Sequence, residues 1–189
     1  MVYKRIIPLL LVKDGRNVKG RQFLNHRDVG DPVSNAKIYN AQGADELIIL
    51  EIGGGLLDTK LLSAVADECF LPIAAGGGID STKKAQELFL AGADKIVVSS
   101  ARPRVVREIA DTWGSQAVIY HRTESLFETP MTDCIGEIIY TCVWKEGAKL
   151  GVNITGTQIA KMDFSGPLIA SGGIGTLEHI KSALEIADG

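Results

Sequence analysis

The sequence lacks the features that mark membrane-spanning, secreted and nucleic-acid-binding proteins. Its apolar runs, such as residues 6–12, are far shorter than the roughly 20 residues that cross a bilayer. The apolar N-terminal stretch ends at Lys13 and Asp14 without a small-residue cleavage site, which does not fit a signal peptide. Basic residues number 20 against 23 acidic ones, so the net charge of −3 gives no general attraction to nucleic acid or anionic lipid. We expect a cytoplasmic protein with neither a nucleic acid nor a membrane as partner.

Cysteine is scarce and has no regular spacing. Cys69, Cys134 and Cys142 form no Cys-x-x-Cys pair, and their number is odd. Scattered cysteines of this kind are typical of reduced thiols in a core rather than of a disulfide framework or a metal site. We therefore expect no disulfide, no metal and no cofactor.

Short apolar runs rich in β-branched residues predict the strands. Helical patterns lie between most of them: Asp31 and Pro32 open one helix as N-cap and first residue, a second ends at Gly114, and another begins after Thr176. Apolar strands separated by helices favour a parallel sheet covered by helices, which is either an open doubly wound sheet or a (β/α)8 barrel. The seven predicted strands are residues 6–12, 46–52, 71–75, 95–99, 117–120, 138–143 and 168–170.

An internal repeat favours the barrel. Residues 72–79, PIAAGGGI, resemble residues 167–174, PLIASGGI, and each copy precedes a Ser or Thr that could cap a helix. Upstream of each copy, Glu46 opens the segment ELII and Glu137 opens the similar segment EIIY. Two similar halves that each contain a strand, a glycine turn and a helix fit a barrel made by duplication of a half-barrel.

The second half of the repeat is shorter than the first. No eighth strand follows the last predicted helix before Gly189, and residues 121–136 include Pro130 and too few helical repeats for a full fifth helix. The sequence predicts a reduced TIM-type barrel, one α/β domain of residues 1–189 with seven strands, a short or absent fifth helix and no eighth strand-helix unit. Because two strand edges would stay unpaired, we also expect a homo-oligomer.

The glycine turns of the two halves are candidate phosphate sites. Gly77 and Gly78 follow the third predicted strand, and Gly172 and Gly173 follow the seventh. A glycine turn before a helix lets phosphate oxygens approach backbone N–H groups near the positive end of the helix dipole. The same glycines could serve only to form tight turns. Their equivalent positions in the repeat favour a ligand with two phosphates.

Several longer segments carry a family resemblance. They are KRIIPLLLVKDGRNVKGRQF, NHRDVGDPV, AGADKIVVSSA, WGSQAV and PLIASGGIG. Over residues 4–120 and 137–189 the chain closely resembles the cyclase subunit of imidazole glycerol phosphate synthase, from histidine biosynthesis. The resemblance implies a (β/α)8 lyase that receives ammonia through the barrel from a glutaminase subunit. With this ammonia the family splits and cyclises a bisphosphate ribonucleotide.

The resemblance also implies which residues hold the phosphates and the partner. One phosphate would lie on Gly78 with the hydroxyl groups of Ser99 and Ser100, and the other on Gly147 with Gly173. The opposite end of the barrel, where Lys95 lies, would dock the glutaminase.

The catalytic positions of the family are occupied by other residues here. Leu11 stands where the family has a general acid/base aspartate at the end of strand one, and Thr123 stands at the second aspartate position. Neither side chain can replace a carboxylate in proton transfer. His121 could act near neutral pH if a one-step shift of the strand pointed it inward. Lys19 matches a family residue close to the substrate, and Glu51 keeps a carboxylate at the mouth.

Two readings of function therefore stay open. The first is an ammonia-dependent cyclase in which His121, Lys19 and Glu51 do the catalytic work, with activity reduced by the two replacements. The second is a non-catalytic relative that binds phosphate or passes ammonia, as in surface-sugar amidation pathways, where relatives also carry leucine at the position of Leu11.

Overall fold

The computed structural model describes residues 3–99, 102–124 and 132–189. Within these ranges nine strands and six α-helices follow one another, with two short 3-10 turns at Ser115–Ala117 and Val143–Lys145. The strands are β1 (Leu9–Lys13), β2 (Arg16–Arg21), β3 (Leu24–Gly30), β4 (Leu47–Glu51), β5 (Ile73–Gly76), β6 (Lys95–Ser99), β7 (Val118–Thr123), β8 (Glu137–Thr141) and β9 (Leu168–Ser171). The helices are α1 (Pro32–Ala41), α2 (Thr59–Ala66), α3 (Thr82–Leu90), α4 (Pro103–Trp113), α5 (Ile154–Asp163) and α6 (Leu177–Leu184).

The strands form one curled sheet in the order β3-β2-β1-β4-β5-β6-β7-β8-β9. All neighbours from β1 and β4 to β9 are parallel, and each of these seven strands coincides with a predicted one. The predicted reduced barrel is therefore confirmed. In the described part of the connection between β7 and β8 there is no helix; Pro130 lies outside the described residues.

The sequence analysis missed the antiparallel hairpin of β2 and β3. It follows β1 directly, and Val18 of β2 pairs with Leu11 of β1. Most side chains of β3 are exposed and polar, with only Leu24 and Val29 as apolar residues. Such a strand has no apolar run to reveal it, because its pairing comes from the local turn rather than from burial.

The two ends of the parallel sheet approach each other at a seam between β1 and β9. Two backbone hydrogen bonds cross the seam. The Arg5 N–H donates to the Asp188 carbonyl (3.0 Å), and the Ala170 N–H donates to the Gly189 carbonyl (2.8 Å). At the edge of β1, the ammonium group of Lys19 donates to the Leu9 carbonyl (3.3 Å). Backbone and one lysine thus fill the place that a further strand occupies in a closed barrel.

The apolar side chains form two layers because alternate strand residues face opposite sides of the sheet. One layer packs between the sheet and the helices. The other lies inside the curl of the sheet and comprises Leu11, Val18, Ile48, Leu50, Ala74, Val97, Ile119, Ile139 and Ile169. This interior layer separates the two ends of the barrel.

Two of the predicted helix starts are capped as expected. Asp31 accepts a hydrogen bond from the Ser34 N–H (2.7 Å), with Pro32 in the first turn. Thr176 accepts one from the His179 N–H (3.3 Å). A side-chain oxygen at this position satisfies an N–H group that the helix leaves unpaired. None of the helices in the described residues is long and apolar enough to span a membrane.

Candidate active site at the barrel mouth

The first glycine turn follows β5. Gly77 and Gly78 have φ angles of +107° and +63°, in the region that favours glycine. A Cβ on Gly77 would lie 2.4 Å from the Glu51 carbonyl oxygen, and one on Gly78 would lie 2.2 Å from that of Gly55. Both glycines are therefore required by backbone packing. The N–H of Gly78 has no acceptor among the described residues, which leaves it available to a ligand.

Positive charge lies close to this first turn. Helix α3 begins next to it, and Ser81 makes no side-chain cap bond to the helix N-terminus. The ammonium group of Lys84 donates to the Gly78 carbonyl (3.2 Å) and to Asp80 (2.7 Å), and the hydrogen bond from Lys84 lowers the pKa of Asp80. Ser99 ends the neighbouring strand β6 and is exposed. The predicted phosphate residue Ser100 lies outside the described residues.

The second glycine turn repeats this arrangement after β9. Gly172 and Gly173 have φ angles of +93° and +90°. A Cβ on Gly173 would lie 2.3 Å from the Gly151 carbonyl oxygen, and the Gly151 N–H donates to the Gly173 carbonyl (2.9 Å). In the described part of the chain the Gly173 N–H itself has no acceptor. The two turns are thus alike in conformation, in close packing and in their unpaired N–H groups.

Gly147 lies against the β2–β3 hairpin. Its φ angle is +68°, and a Cβ there would lie 2.3 Å from the Gly20 carbonyl oxygen. The hairpin also donates from the Gln22 N–H to the Glu146 carbonyl (3.1 Å) and from the Phe23 N–H to the Glu146 carboxylate (3.1 Å). The loop between β8 and α5 is therefore held between the hairpin on one side and the second glycine turn on the other.

Glu124 supports the same loop, and the sequence analysis did not identify it. Its carboxylate accepts hydrogen bonds from the Val143 N–H (2.9 Å) and the Trp144 N–H (3.2 Å). These bonds fix the turn that begins the loop. Only the three-dimensional structure brings these residues together, and the sequence offers no signal for the pairing.

The two positions where the family has aspartates face the barrel interior. Leu11 belongs to the interior apolar layer. Thr123 and His121 follow Ile119 in steps of two along β7, so all three side chains are on the interior side. The expectation that His121 needs a one-step shift to point inward is therefore wrong, because residues two apart share one face of a strand.

Within the described residues, one side-chain hydrogen bond holds the ring of His121. Its Nε2 atom is 2.9 Å from the hydroxyl oxygen of Thr141 on β8. Burial lowers the pKa of His121 from its ordinary value of 6.5 to about 4. The imidazole is therefore neutral at pH 7.

The other two candidate catalytic residues lie apart from His121. The ammonium of Lys19 donates to the Leu9 carbonyl at the seam; burial lowers its pKa, and the charge of Glu146 opposes this shift. Glu51 is one residue beyond Leu50 of the interior layer and so has the opposite orientation. Its carboxylate accepts the N–H of Gly53 (2.6 Å). No hydrogen bond within the described part of the chain joins the three predicted catalytic side chains.

A ring of four charges crosses the opposite end of the barrel. The guanidinium of Arg5 contacts Glu46 and Glu137, the latter at 3.1 Å, and Lys95 is 2.7 Å from Glu137 and 3.4 Å from Glu46. Both carboxylates are almost fully buried. One signal could have revealed the ring, namely the repeat that matches Glu46 with Glu137.

Large apolar side chains are exposed at the same end of the barrel as this ring. Those of Tyr3, Phe70, Leu90 and Met162 are each more than 80% exposed, at 89%, 87%, 81% and 85%. They lie before β1, in the connection from α2 to β5, and at the ends of α3 and α5. The connections from helices to strands lie at the N-terminal ends of parallel strands, opposite the glycine turns.

No group of three or more metal-ligating side chains occurs in the described residues.

The sequence was compared with known proteins. The family model "Histidine biosynthesis protein" matches residues 5–121 and 123–188. The imidazole glycerol phosphate synthase subunit HisF of Exiguobacterium sibiricum is 38% identical over 215 residues, which cover 98% of this chain and 86% of that protein. The aligned length exceeds the 189 residues here, so the alignment has gaps in this chain. The chain belongs to the histidine biosynthesis protein family.

Proposed function

We propose that this chain is a cyclase subunit of the imidazole glycerol phosphate synthase type. It would use ammonia to split and cyclise a ribonucleotide with two phosphates. The observation that carries the proposal is the pair of glycine turns at the barrel mouth. They occupy equivalent positions in the two halves, and the N–H groups of Gly78 and Gly173 have no acceptor in the described part of the chain. Two similar anion sites at one mouth suit a substrate with a phosphate at each end.

The interior of the barrel supports the transfer of ammonia. Between the two ends lies a layer of aliphatic side chains such as Ile48, Val97 and Ile139. Neutral ammonia enters such surroundings at a much smaller desolvation cost than the ammonium ion, which the aliphatic layer would exclude. At the far end, the ring of Arg5, Glu46, Lys95 and Glu137 crosses the route. We expect the ring to rearrange when ammonia passes.

The end that contains the charge ring suits a protein partner. Four large apolar side chains there are more than 80% exposed, and exposed aromatic and aliphatic groups are typical of a protein interface. A glutaminase subunit docked on this end would release ammonia at the ring. This position agrees with the docking role expected for the end that contains Lys95.

The replaced aspartates determine which residues could move protons. Leu11 places a methyl-bearing side chain where the family has a carboxylate, and Thr123 offers a hydroxyl that stays protonated at neutral pH. His121 faces the same space and is neutral at pH 7. It is the candidate proton acceptor at the mouth. Lys19 and Glu51, held at the seam and at Gly53, would act on the rim of the site.

The second candidate function is a non-catalytic relative that binds phosphate or passes ammonia. The observation in its favour is that Leu11 and Thr123 both face the interior, so neither family carboxylate is replaced by another acid at its own position. This candidate keeps the glycine turns and the charge ring and loses only the chemistry.

One experiment separates the two functions. The purified chain is given the bisphosphate substrate of the family with ammonium salt above pH 8, and product formation and calorimetric binding are measured in the same sample. Turnover supports the cyclase. Tight binding without turnover supports the non-catalytic relative. If neither turnover nor binding is observed, both functions are rejected.

A paired substitution tests the assignment of the two replaced positions. We expect the double variant Leu11→Asp, Thr123→Asp to raise ammonia-dependent turnover by about 10²-fold or more, since general acid/base groups typically contribute 10²–10⁴-fold. The control is Leu11→Asn, Thr123→Asn, which has similar volume and polarity but cannot transfer protons. Equal rates for the two folded variants would contradict the assignment.

The proposal also includes location and assembly. A cytoplasmic location suits the three cysteines, which are buried and unpaired. Association with a further copy of the chain remains a prediction, which the elution volume and light scattering of the purified protein would test.

A further inference from the structure

In the described part of the chain, the residues next to His121 on the two adjacent strands are uncharged. Ser99 of β6 pairs with His121 in the sheet register, and Ile139 and Thr141 of β8 lie on the other side. Burial is the cause of the lowered pKa, and no charged group contributes to it. The neighbours of the imidazole on the two adjacent described strands are thus hydroxyl and aliphatic groups.

Thr141 is the single side chain that bonds to the ring in the described residues. Its hydroxyl is 2.9 Å from Nε2, and the residue is only 4% exposed. Thr141 follows Ile139 on the interior side of β8, and its register partner on β7 is Thr123. The bond is therefore set by two paired strands, whose positions are fixed by the sheet. Such a support holds a side chain more firmly than a loop does.

The other ring nitrogen of His121, Nδ1, has no hydrogen-bond partner among residues 3–99, 102–124 and 132–189. The ring therefore has one nitrogen held by Thr141 and a second for which the described residues supply no partner.

We propose that Thr141 is a positioning residue that accepts the Nε2–H of His121 and so keeps the lone pair on Nδ1, facing the bound substrate. The inference rests on the proposed function only for the identity of that substrate. In the reaction a bond between a substrate atom, X, and hydrogen breaks, and its electron pair stays on X. The proton forms an N–H bond at Nδ1, and the resulting imidazolium returns the proton to product or water. A base with a pKa near 4 is close in strength to an aspartate, whose ordinary pKa is about 3.9. His121 would thus do a carboxylate's work without its charge.

The test substitutes Thr141 and reads the ring directly. ¹⁵N NMR of histidine-labelled protein distinguishes the Nε2–H from the Nδ1–H tautomer, and we expect the Nε2–H form in the natural chain. Thr141→Val, which has the same shape but no hydroxyl, should lose this preference, and Thr141→Ser should keep it. Thr157→Val is the matched control, because the buried hydroxyl of Thr157 donates to the backbone carbonyl of Asn153, the N-cap of α5, and not to His121.

Activity gives a second readout. We expect Thr141→Val to lower kcat roughly tenfold, the equivalent of one neutral hydrogen bond, with KM little changed. Thr141→Ser should restore most of the rate, and Thr157→Val should leave both constants near their natural values. An Nδ1–H tautomer in the natural chain, or ring signals unchanged by Thr141→Val, would overturn the inference. A natural chain without turnover would reject the cyclase function, while the NMR result would still decide the role of Thr141.

Discussion

The burial of His121 makes a quantitative prediction about stability and pH. In the folded chain its pKa is about 4, whereas the unfolded chain has the ordinary value of 6.5. Between these values the unfolded state binds the proton and the folded state does not, so stability falls as pH falls through this window. The difference of about 2.5 pKa units corresponds to roughly 3 kcal/mol once both states are protonated, and to about 2 kcal/mol at pH 5.

Urea denaturation of the natural chain and of His121→Asn at several pH values between 7.5 and 4.5 measures this effect. Asn keeps a polar group near Thr141 but does not titrate. Every other titrating group contributes to both proteins, so the difference between the two curves isolates His121. We expect the natural chain to lose about 2 kcal/mol relative to the variant between pH 7 and pH 5. Parallel curves over this range would refute the argument that the imidazole is held neutral by burial.

Two further predictions concern the charge ring and the glycine turns. Glu137→Gln leaves excess positive charge at Arg5 in a buried site and should lower the free energy of unfolding, measured with urea, by about 3 kcal/mol. Asp28→Asn removes an exposed ion pair and should lower it by less than about 1 kcal/mol. Equal losses would contradict the burial of the ring. Gly173→Ala should unfold at a clearly lower temperature than Gly54→Ala, since the φ angles are similar but only Gly173 faces a carbonyl at 2.3 Å. Equal melting temperatures for the two variants would show that the loop at Gly151 moves to accommodate the added methyl group.

The sequence predicts the parallel strands well because each is a continuous apolar run. Residues such as Ile49 and Val97 are buried on whichever face they lie, so their hydrophobicity alone reveals the strand. The hairpin was missed because β3 consists mostly of polar, exposed residues. The repeat predicted both glycine turns, and the structure adds that packing alone requires glycine at Gly78 and Gly173.

The candidate site was less predictable than the fold. The orientation of His121 follows from strand alternation and could have been deduced from the position of Ile119. The partners of the candidate residues could not, because the bond of His121 to Thr141 and that of Lys19 to Leu9 depend on which strands become neighbours. The contacts of the charge ring were also not predictable, because Arg5 and Glu137 are far apart in sequence and only the curling of the sheet brings them together.

The hairpin beside β1 has a consequence for the order in which the chain is made. A ribosome delivers the first strand long before residues 188 and 189, which contact Arg5 and β9 at the seam. During that interval an unpaired edge of β1 would be open to other nascent chains. The hairpin follows β1 within a few residues and pairs Val18 with Leu11 at once. The hairpin can therefore protect the edge of β1 during synthesis, until residues 188 and 189 emerge and form their hydrogen bonds at the seam.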